Sequence, residues 1–222
     1  GFSCYIWNIE MTCHIISLVK DVFPKTKVFV GGPEVSYTAR KVLEDCPQID
    51  YVLQGEGEVM VPDFLTALEK GGDGTEIPGV LGRIDGTIKG DETFQEIDDL
   101  DSLPFPYENQ DFRDLDHRIM YYESSRGCPF HCQYCLSGMN DRVRFRSVPL
   151  VLQELQAFVD AGVSQVKFVD RTFNCSPHHH RPLVEYMIGV EKKVNFHLEI
   201  EPAVLTDDDI DLLAKAPKGR IQ

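Results

Sequence analysis

The sequence predicts an α/β protein built from two successive blocks of strand-turn-helix units, and three observations carry that expectation. Strand, glycine turn and helix recur three times within about the first ninety residues, and strand, loop and helix recur three times again between residues 119 and 222. Between the blocks, residues 91–118 are acidic and proline-containing, the composition of a linker. Repeated βα units imply parallel strands, because parallel neighbours need a long crossover and the helix supplies it. The first block, residues 1–90, is therefore expected to form a parallel sheet ending in a β-hairpin, and residues 119–222 half of a βα barrel.

The first block reads in order as follows. After an opening strand through Gly1-Phe2-Ser3-Cys4, Asn8 is placed to cap a helix with Glu10 in its first turn. Met11, Ile15, Leu18, Val19 and Val22 form its apolar stripe at helical spacing, and Pro24 ends it. Lys27-Val28-Phe29-Val30 is a short apolar strand running into Gly31-Gly32-Pro33-Glu34, followed by a helix over about residues 36–45. Tyr51-Val52-Leu53 is the next strand, leading through Gly55-Glu56-Gly57-Glu58 into a helix that reaches Lys70 and stops at Gly71. Ligands of parallel sheets bind at the carboxyl ends of strands, so the turns after Ser3, Val30 and Gln54 make one candidate crevice. The same glycines read equally as ordinary strand-to-helix turns. Residues 80–89, with Asp85-Gly86 at their centre, have the pattern of a β-hairpin.

The linker includes Asp98-Asp99-Leu100-Asp101-Ser102-Leu103-Pro104-Phe105-Pro106, whose acidity suggests a solvated strap. Beyond it, residues 119–123 form a strand that delivers a cysteine-bearing loop. Ser147 is placed to cap a helix whose Leu152, Leu155, Phe158 and Val159 face a core before Gly162 stops it. Residues 165–170 form the second strand, Ser176-Pro177 opens a helix, residues 194–200 form a third strand, and Thr206 with Asp207 and Asp208 caps a third helix. Ligands of βα barrels sit at the carboxyl ends of strands, which singles out Asp170, Arg171, Thr172 and Asn174, with Glu199 and Glu201. An Asp-Arg surface pair and a solvated carboxylate are the plainer alternative. His178-His179-His180 is expected on the surface, since adjacent helix positions do not face one another.

The chemistry concentrates in Ser125-Arg126-Gly127-Cys128-Pro129-Phe130-His131-Cys132-Gln133-Tyr134-Cys135, which packs three cysteines into eight residues. A structural zinc site or a closed 4Fe–4S cluster normally takes four protein ligands. Three thiolates on a four-iron cluster leave one iron open to a small chelating molecule. Gly127 and Pro129 favour an irregular loop over a straight helix. Three other readings stand beside this one: a buried helical stripe, a zinc site with His131 or His117 as fourth ligand, and an electron-transfer cluster.

With Tyr134 in the aromatic place before the last cysteine, the loop resembles the C-x3-C-x2-C signature of the radical S-adenosylmethionine (SAM) enzymes. Gly31-Gly32-Pro33-Glu34 and Gly55-Glu56-Gly57-Glu58 resemble the Rossmann-like cobalamin-binding domain that precedes the radical SAM domain in many such enzymes, and Leu103-Pro104-Phe105-Pro106 resembles the join between them. The resemblance implies three cofactors: a 4Fe–4S cluster, SAM and cobalamin. It implies that Cys128, Cys132 and Cys135 hold the cluster, whose open iron binds the amino and carboxylate groups of SAM and, once reduced, cleaves it to methionine and a 5′-deoxyadenosyl radical. It places Tyr134, Asp170, Arg171, Glu199 and Glu201 at SAM, and Ser3, Gly31, Gly32, Glu34, Gly55, Glu56 and Gly57 at cobalamin. It also implies an external reductant such as flavodoxin or ferredoxin and a small-molecule or peptide substrate. Two departures stand out. The Asp-x-His-x-x-Gly stretch whose histidine ligates cobalt in many cobalamin domains is absent from these residues, and His14 sits on a helix face instead; the usual Gly-Gly-Glu at the second strand is replaced by Val169-Asp170-Arg171. A non-catalytic iron-sulfur or zinc protein is the alternative from a different class.

The whole-chain balance narrows the partners. A net charge of −14 and a pI near 4.8 argue against a nucleic-acid backbone, which calls for clustered Lys and Arg. Apolar runs are short and broken by charges, with no membrane span or signal peptide in view, so a cytoplasmic location is expected. Cys4, Cys13, Cys46 and Cys175 are scattered, as buried thiols of a reducing compartment would be. With no initiator Met, and both ends resembling interrupted strands, the chain reads as a fragment covering part of two domains.

Overall fold

The computed structural model describes residues 1–108, 118–139 and 142–222. The chain divides into two units, residues 1–97 and residues 98–222.

The first unit is a five-stranded sheet. In chain order it contains β1 (Phe2–Ser3), α1 (Ile9–Val22), β2 (Phe29–Gly31), α2 (Pro33–Ser36), α3 (Ala39–Asp45), β3 (Tyr51–Leu53), α4 (Gly57–Glu69), β4 (Val80–Ile84) and β5 (Thr87–Gly90). The strand order is β1-β2-β3-β4-β5. The first three strands are parallel, and β4 and β5 return antiparallel as the expected hairpin. Its turn places Asp85 at φ 49° and Gly86 at φ 77°, the left-handed pair that a two-residue hairpin turn requires. The register aligns Ser3, Gly31 and Leu53 in one row at the carboxyl ends of the parallel strands.

The packing of α1 differs from the expected stripe. The residues buried in this helix are Thr12 and Ile16, with Ile9 and Val19 packed against the same core, whereas Met11, Ile15, Leu18 and Val22 are exposed. Both sets repeat at helical spacing, and a sheet can cover only one face of a helix. Asn8 stands at the start of α1 without capping it; its Oδ1 accepts from Tyr5 N (2.7 Å) and its Nδ2 donates to the Ser3 carbonyl (2.9 Å). Cys4 is fully buried, while Cys13 and Cys46 are half-buried with their sulfurs 3.6 Å apart.

The described part of the expected linker is largely exposed but anchored at points along its length. Residues 91–97 return to the first unit, where Gln95 bridges Gly55 in parallel and Glu56 Oε2 accepts from Ile97 N (2.8 Å). In the second unit Leu100 is buried, and Phe105 and Tyr107 lie edge-on to Phe158, 5.3 and 5.2 Å between ring centroids. Residues 109–117, including His117, lie outside the described residues.

The second unit continues with β6 (Ile119–Tyr122), β7 (Ser125–Arg126), β8 (Arg144–Phe145), α5 (Val148–Ala161), β9 (Gln165–Phe168), α6 (Pro177–Gly189), β10 (Asn195–His197) and α7 (Asp207–Leu213). Strands β6, β9 and β10 pair parallel in that order, and Ile221 bridges Phe196 in parallel beyond them. Helix α5 ends at Gly162, whose φ of 74° is the left-handed stop that glycine adopts without strain. Thr206 and Asp209 close α7 with a reciprocal capping box. Ser147 makes no side-chain cap to α5; its backbone N–H donates instead to Asp101 Oδ1 (2.7 Å), tying residues 98–108 to the helix start. Among the described residues no helix is long and apolar enough to cross a membrane.

Candidate functional site

The cysteine loop is closed at its base by a two-stranded ribbon in which Ser125 pairs Phe145 and Arg126 pairs Arg144. Gly127 leaves this ribbon at φ 98°, and a Cβ added there would stand 2.3 Å from the Arg142 carbonyl oxygen. Glycine is thus required twice over, by conformation and by space. Upstream, Ser124 has every polar group engaged. Its N–H and hydroxyl donate to Asp170 Oδ1 (2.7 Å) and Oδ2 (2.5 Å), its carbonyl accepts from Arg146 N (2.9 Å), and its Oγ lies 3.1 Å from His179 Nε2. Ser125 N also donates to Asp170 Oδ1 (2.9 Å). Because the single hydroxyl proton goes to Asp170, His179 donates through Nε2. Burial holds the His179 pKa down at about 4, with His180 adding to it, so the ring is neutral. Burial pushes Asp170 up to about 6, against the lowering effect of its Ser124 and Ser125 donors.

Of the three loop cysteines, Cys128 is buried at the loop's root with its Sγ 3.4 Å from Thr172 Oγ1, whereas Cys132 and Cys135 are exposed. Among the described residues no three His, Cys, Asp or Glu side chains converge on a metal position, so the three thiols are not gathered, nor is His131 added to them as a fourth ligand. The donor set still suits an iron-sulfur cluster: three soft sulfurs in one loop, the first buried against Thr172 and the other two on the surface.

The residues expected at SAM separate into groups. Asp170 is fully buried and its carboxylate is taken up by the Ser124-Ser125 turn; it does not face an open site. Arg171 and Glu199 are exposed, and Tyr134 is 93% exposed. Glu199 Oε1 is 3.8 Å from Lys167 Nζ, and Glu201 accepts from Ala203 N (3.0 Å) at the start of its own turn. Asn174 is buried and uses both ends of its amide on the Glu201 backbone, at 2.8 and 2.9 Å, locking the loops after β9 and β10 together. The histidine tract is a correction: His178 is exposed, but His179 and His180 are buried. Packing on more than one side widens the buried sector of α6 beyond the 100° that separates neighbouring residues. His180 Nε2 meets Asp209 Oδ1 at 3.1 Å, and the Arg181 guanidinium beside that carboxylate holds it far below the usual range.

Sequence reading missed Ser124 and His179, and also a row across the sheet. Met120, Tyr122, Val166, Phe168, Phe196 and Leu198 are buried in the helix-covered core. Strand alternation sends Tyr121, Lys167 and His197 to the opposite face, and the register places all three side by side. Period-two alternation was the signal available for them.

In the first unit, Ser3, Gly31, Gly32 and Gly55 meet at the carboxyl ends of β1, β2 and β3. Ser36, also missed, joins the turns: its hydroxyl donates to the Gly32 carbonyl (2.9 Å) and accepts from Gly55 N (3.4 Å). Two glycines expected to admit a ligand instead admit the chain itself. A Cβ on Gly32 would stand 2.7 Å from the Cys4 carbonyl oxygen, and one on Gly55 2.1 Å from that of Gln95. Gly31 has ordinary room, with Leu53 O at 3.4 Å. Gly57 begins α4, Glu34 N donates to the Cys4 carbonyl (3.2 Å), and Glu56 holds the returning segment. Ser3 is exposed beside Gly31 at the carboxyl ends of β1 and β2. His14, the histidine of residues 1–97, is exposed in the middle of α1.

Two family models match the chain in succession: the B12 binding domain over residues 1–65 and the Radical SAM superfamily over residues 122–222. The chain belongs to the cobalamin-binding radical SAM family. Within that family, an uncharacterised methyltransferase of Pyrococcus horikoshii is 30% identical over 171 residues, covering 72% of this chain and 36% of its own length. The cobalamin-dependent radical SAM methyltransferase TokK of Streptomyces tokunonensis is 28% identical over 189 residues, 80% of this chain and 28% of its own. The solved radical SAM methyltransferase TsrM of Kitasatospora setae, with cobalamin and a 4Fe–4S cluster bound, shares the fold at a TM-score of 0.70 and 18% identity, over 94% of this chain and 44% of its own. The chain thus spans about a third of the curated relatives it matches. The B12-binding domain and the radical SAM domain imply cobalamin, and a 4Fe–4S cluster with SAM, as cofactors of this family member.

Proposed function

We propose that this chain carries the cobalamin and cluster sites of a radical SAM methyltransferase that acts on an unactivated carbon of a small-molecule or peptide substrate, with an external reductant such as flavodoxin or ferredoxin. The observation that carries the reading is the cysteine loop itself: three thiols and no fourth, in a loop closed by the β7–β8 ribbon just after β6. When bound, the cluster and SAM supply the 5′-deoxyadenosyl radical and cobalamin supplies the methyl group. The chain's own residues supply ligation and orientation. Cys128, held against Thr172, would be the fixed ligand, and Cys132 and Cys135 would turn in from the surface to complete the set. The Tyr121-Lys167-His197 row, with Glu199 beyond it, presents polar groups on the open face of the sheet, suited to the charged ends of SAM or a substrate. Ser3 and the Gly31-Gly32 backbone would meet cobalamin without a histidine from residues 1–97.

The test is anaerobic reconstitution with iron and sulfide, followed by electron paramagnetic resonance of the reduced protein with and without SAM. A 4Fe–4S signal that changes on adding SAM, production of 5′-deoxyadenosine and a bound corrinoid spectrum are expected. Each of Cys128→Ser, Cys132→Ser and Cys135→Ser should lose the signal. Uptake of zinc without iron would end the reading, and a SAM-indifferent signal would leave an electron carrier.

A further inference from the structure

We propose that Asp170 is a positioning residue for the cluster site: its carboxylate clamps the Ser124-Ser125 turn that launches the cysteine loop, fixing how Cys128 is presented. The proposal rests on the radical SAM reading of that loop. Asp170 is 0% exposed, and among the described residues no Lys or Arg is paired with it. Burying a carboxylate is unfavourable unless its lone pairs are filled. Here three donors fill them, and all three come from the turn: Ser124 N and Ser125 N on Oδ1, and the Ser124 hydroxyl on Oδ2. His179 steadies the same hydroxyl from α6 at 3.1 Å. Two residues beyond Asp170, Thr172 touches the Cys128 sulfur at 3.4 Å. The segment after β9 therefore holds the loop at two points, its root and its first cysteine. A contact serving only to pair strands would not need a buried charge aimed at two consecutive residues of the turn.

The experiment compares the full chain with Asp170→Asn, Asp170→Ala and Val166→Ala, each reconstituted anaerobically. The readouts are iron bound per chain, the rate at which the cluster absorbance is lost to the iron chelator bathophenanthroline disulfonate, and the thermal midpoint. Asparagine can offer Oδ1 to the same two backbone N–H groups, so Asp170→Asn should hold its cluster nearly as the unaltered chain does. Asp170→Ala frees both N–H groups and should lose the cluster at least about tenfold faster, since each charge-assisted bond it gives up is worth that much or more. Val166→Ala removes core methyl groups from β9 without touching the turn, so it should lower the thermal midpoint and leave the rate of cluster loss unchanged. The proposal is overturned if Asp170→Ala keeps the original rate, if Asp170→Asn fails as badly as Asp170→Ala, or if Val166→Ala loses cluster as fast. Should Asp170→Ala not fold, Ser124→Ala is read the same way: it removes the hydroxyl bonds and keeps the backbone ones, and faster loss supports the clamp while an unchanged rate overturns it. An unaltered chain that takes no iron removes the radical SAM reading itself, a result seen before any variant is compared.

Discussion

Asp170 and His179 sit on either side of the Ser124 hydroxyl and respond to acid in opposite directions, which makes the pH dependence of stability a sharp test of their burial. Asp170 is raised from 3.8 to about 6, chiefly by desolvation, with Glu123 adding to it. A carboxyl raised on folding contributes stability that is complete below its unfolded pKa and lost as pH rises through the folded one. At 1.36 kcal/mol per pH unit, the ionised form costs about 3 kcal/mol at pH 7, of which about 1 kcal/mol is relieved by pH 5. His179 is lowered from 6.5 to about 4 by burial and by His180, so its contribution is complete above 6.5 and falls away as pH drops toward 4. Between pH 7 and 5 that loss is about 2 kcal/mol. The two oppose one another in the unaltered chain and leave a net loss of about 1 kcal/mol. Asp170→Asn should therefore lose about 1 kcal/mol more than the unaltered chain over this interval, and His179→Gln about 2 kcal/mol less. The variants part by about 3 kcal/mol, because every other titrating group is common to both. Urea unfolding of the metal-free chain at pH 7 and 5 measures this directly. Parallel pH profiles for the two variants would refute the buried, ionisable state of both residues.

Three further outcomes follow from the geometry. Gly127→Ala must hold φ at 98° and place a Cβ 2.3 Å from the Arg142 oxygen, so about 2 to 4 kcal/mol of stability and most cluster uptake should be lost, read by urea unfolding and iron analysis. Gly55→Ala would drive its Cβ into the Gln95 backbone; the first unit should lose comparable stability and cobalamin affinity should fall at least about tenfold, measured by corrinoid absorbance titration. Tyr122→Phe deletes the hydroxyl that donates to the buried Glu154 at 2.5 Å, while Arg146 still holds that carboxylate at 2.7 Å, so a modest loss of about 1 to 2 kcal/mol is expected in thermal unfolding with cluster content unchanged.

The α/β class, the Asp85-Gly86 hairpin, the Gly162 helix stop and the Thr206 cap were legible because each depends on residues close in sequence. The cysteine loop was legible for the same reason: ligand type and spacing are local properties. Where two local patterns competed, reading the chain could not choose. Residues 9, 12, 16 and 19 of α1 and residues 11, 15, 18 and 22 both fit a helical stripe, and contact with the sheet selected the first set. The histidine tract failed as a surface feature because burial of α6 depends on what lies against it, which spacing along one helix does not contain.

By itself the sequence determined that three thiols lie in one loop after a strand, that glycine turns follow the parallel strands, and that the balance of charge is acidic. Tertiary structure decided what the polar residues around those features do. Asp170 reads in sequence as a group for a ligand, yet its carboxylate is consumed by a turn 45 residues upstream. Glu56 and Gly55 are likewise engaged by residues 95–97. Hydrogen-bond partners across such separations are set by which strands pair and in what register, and that pairing is a property of the whole core rather than of any segment.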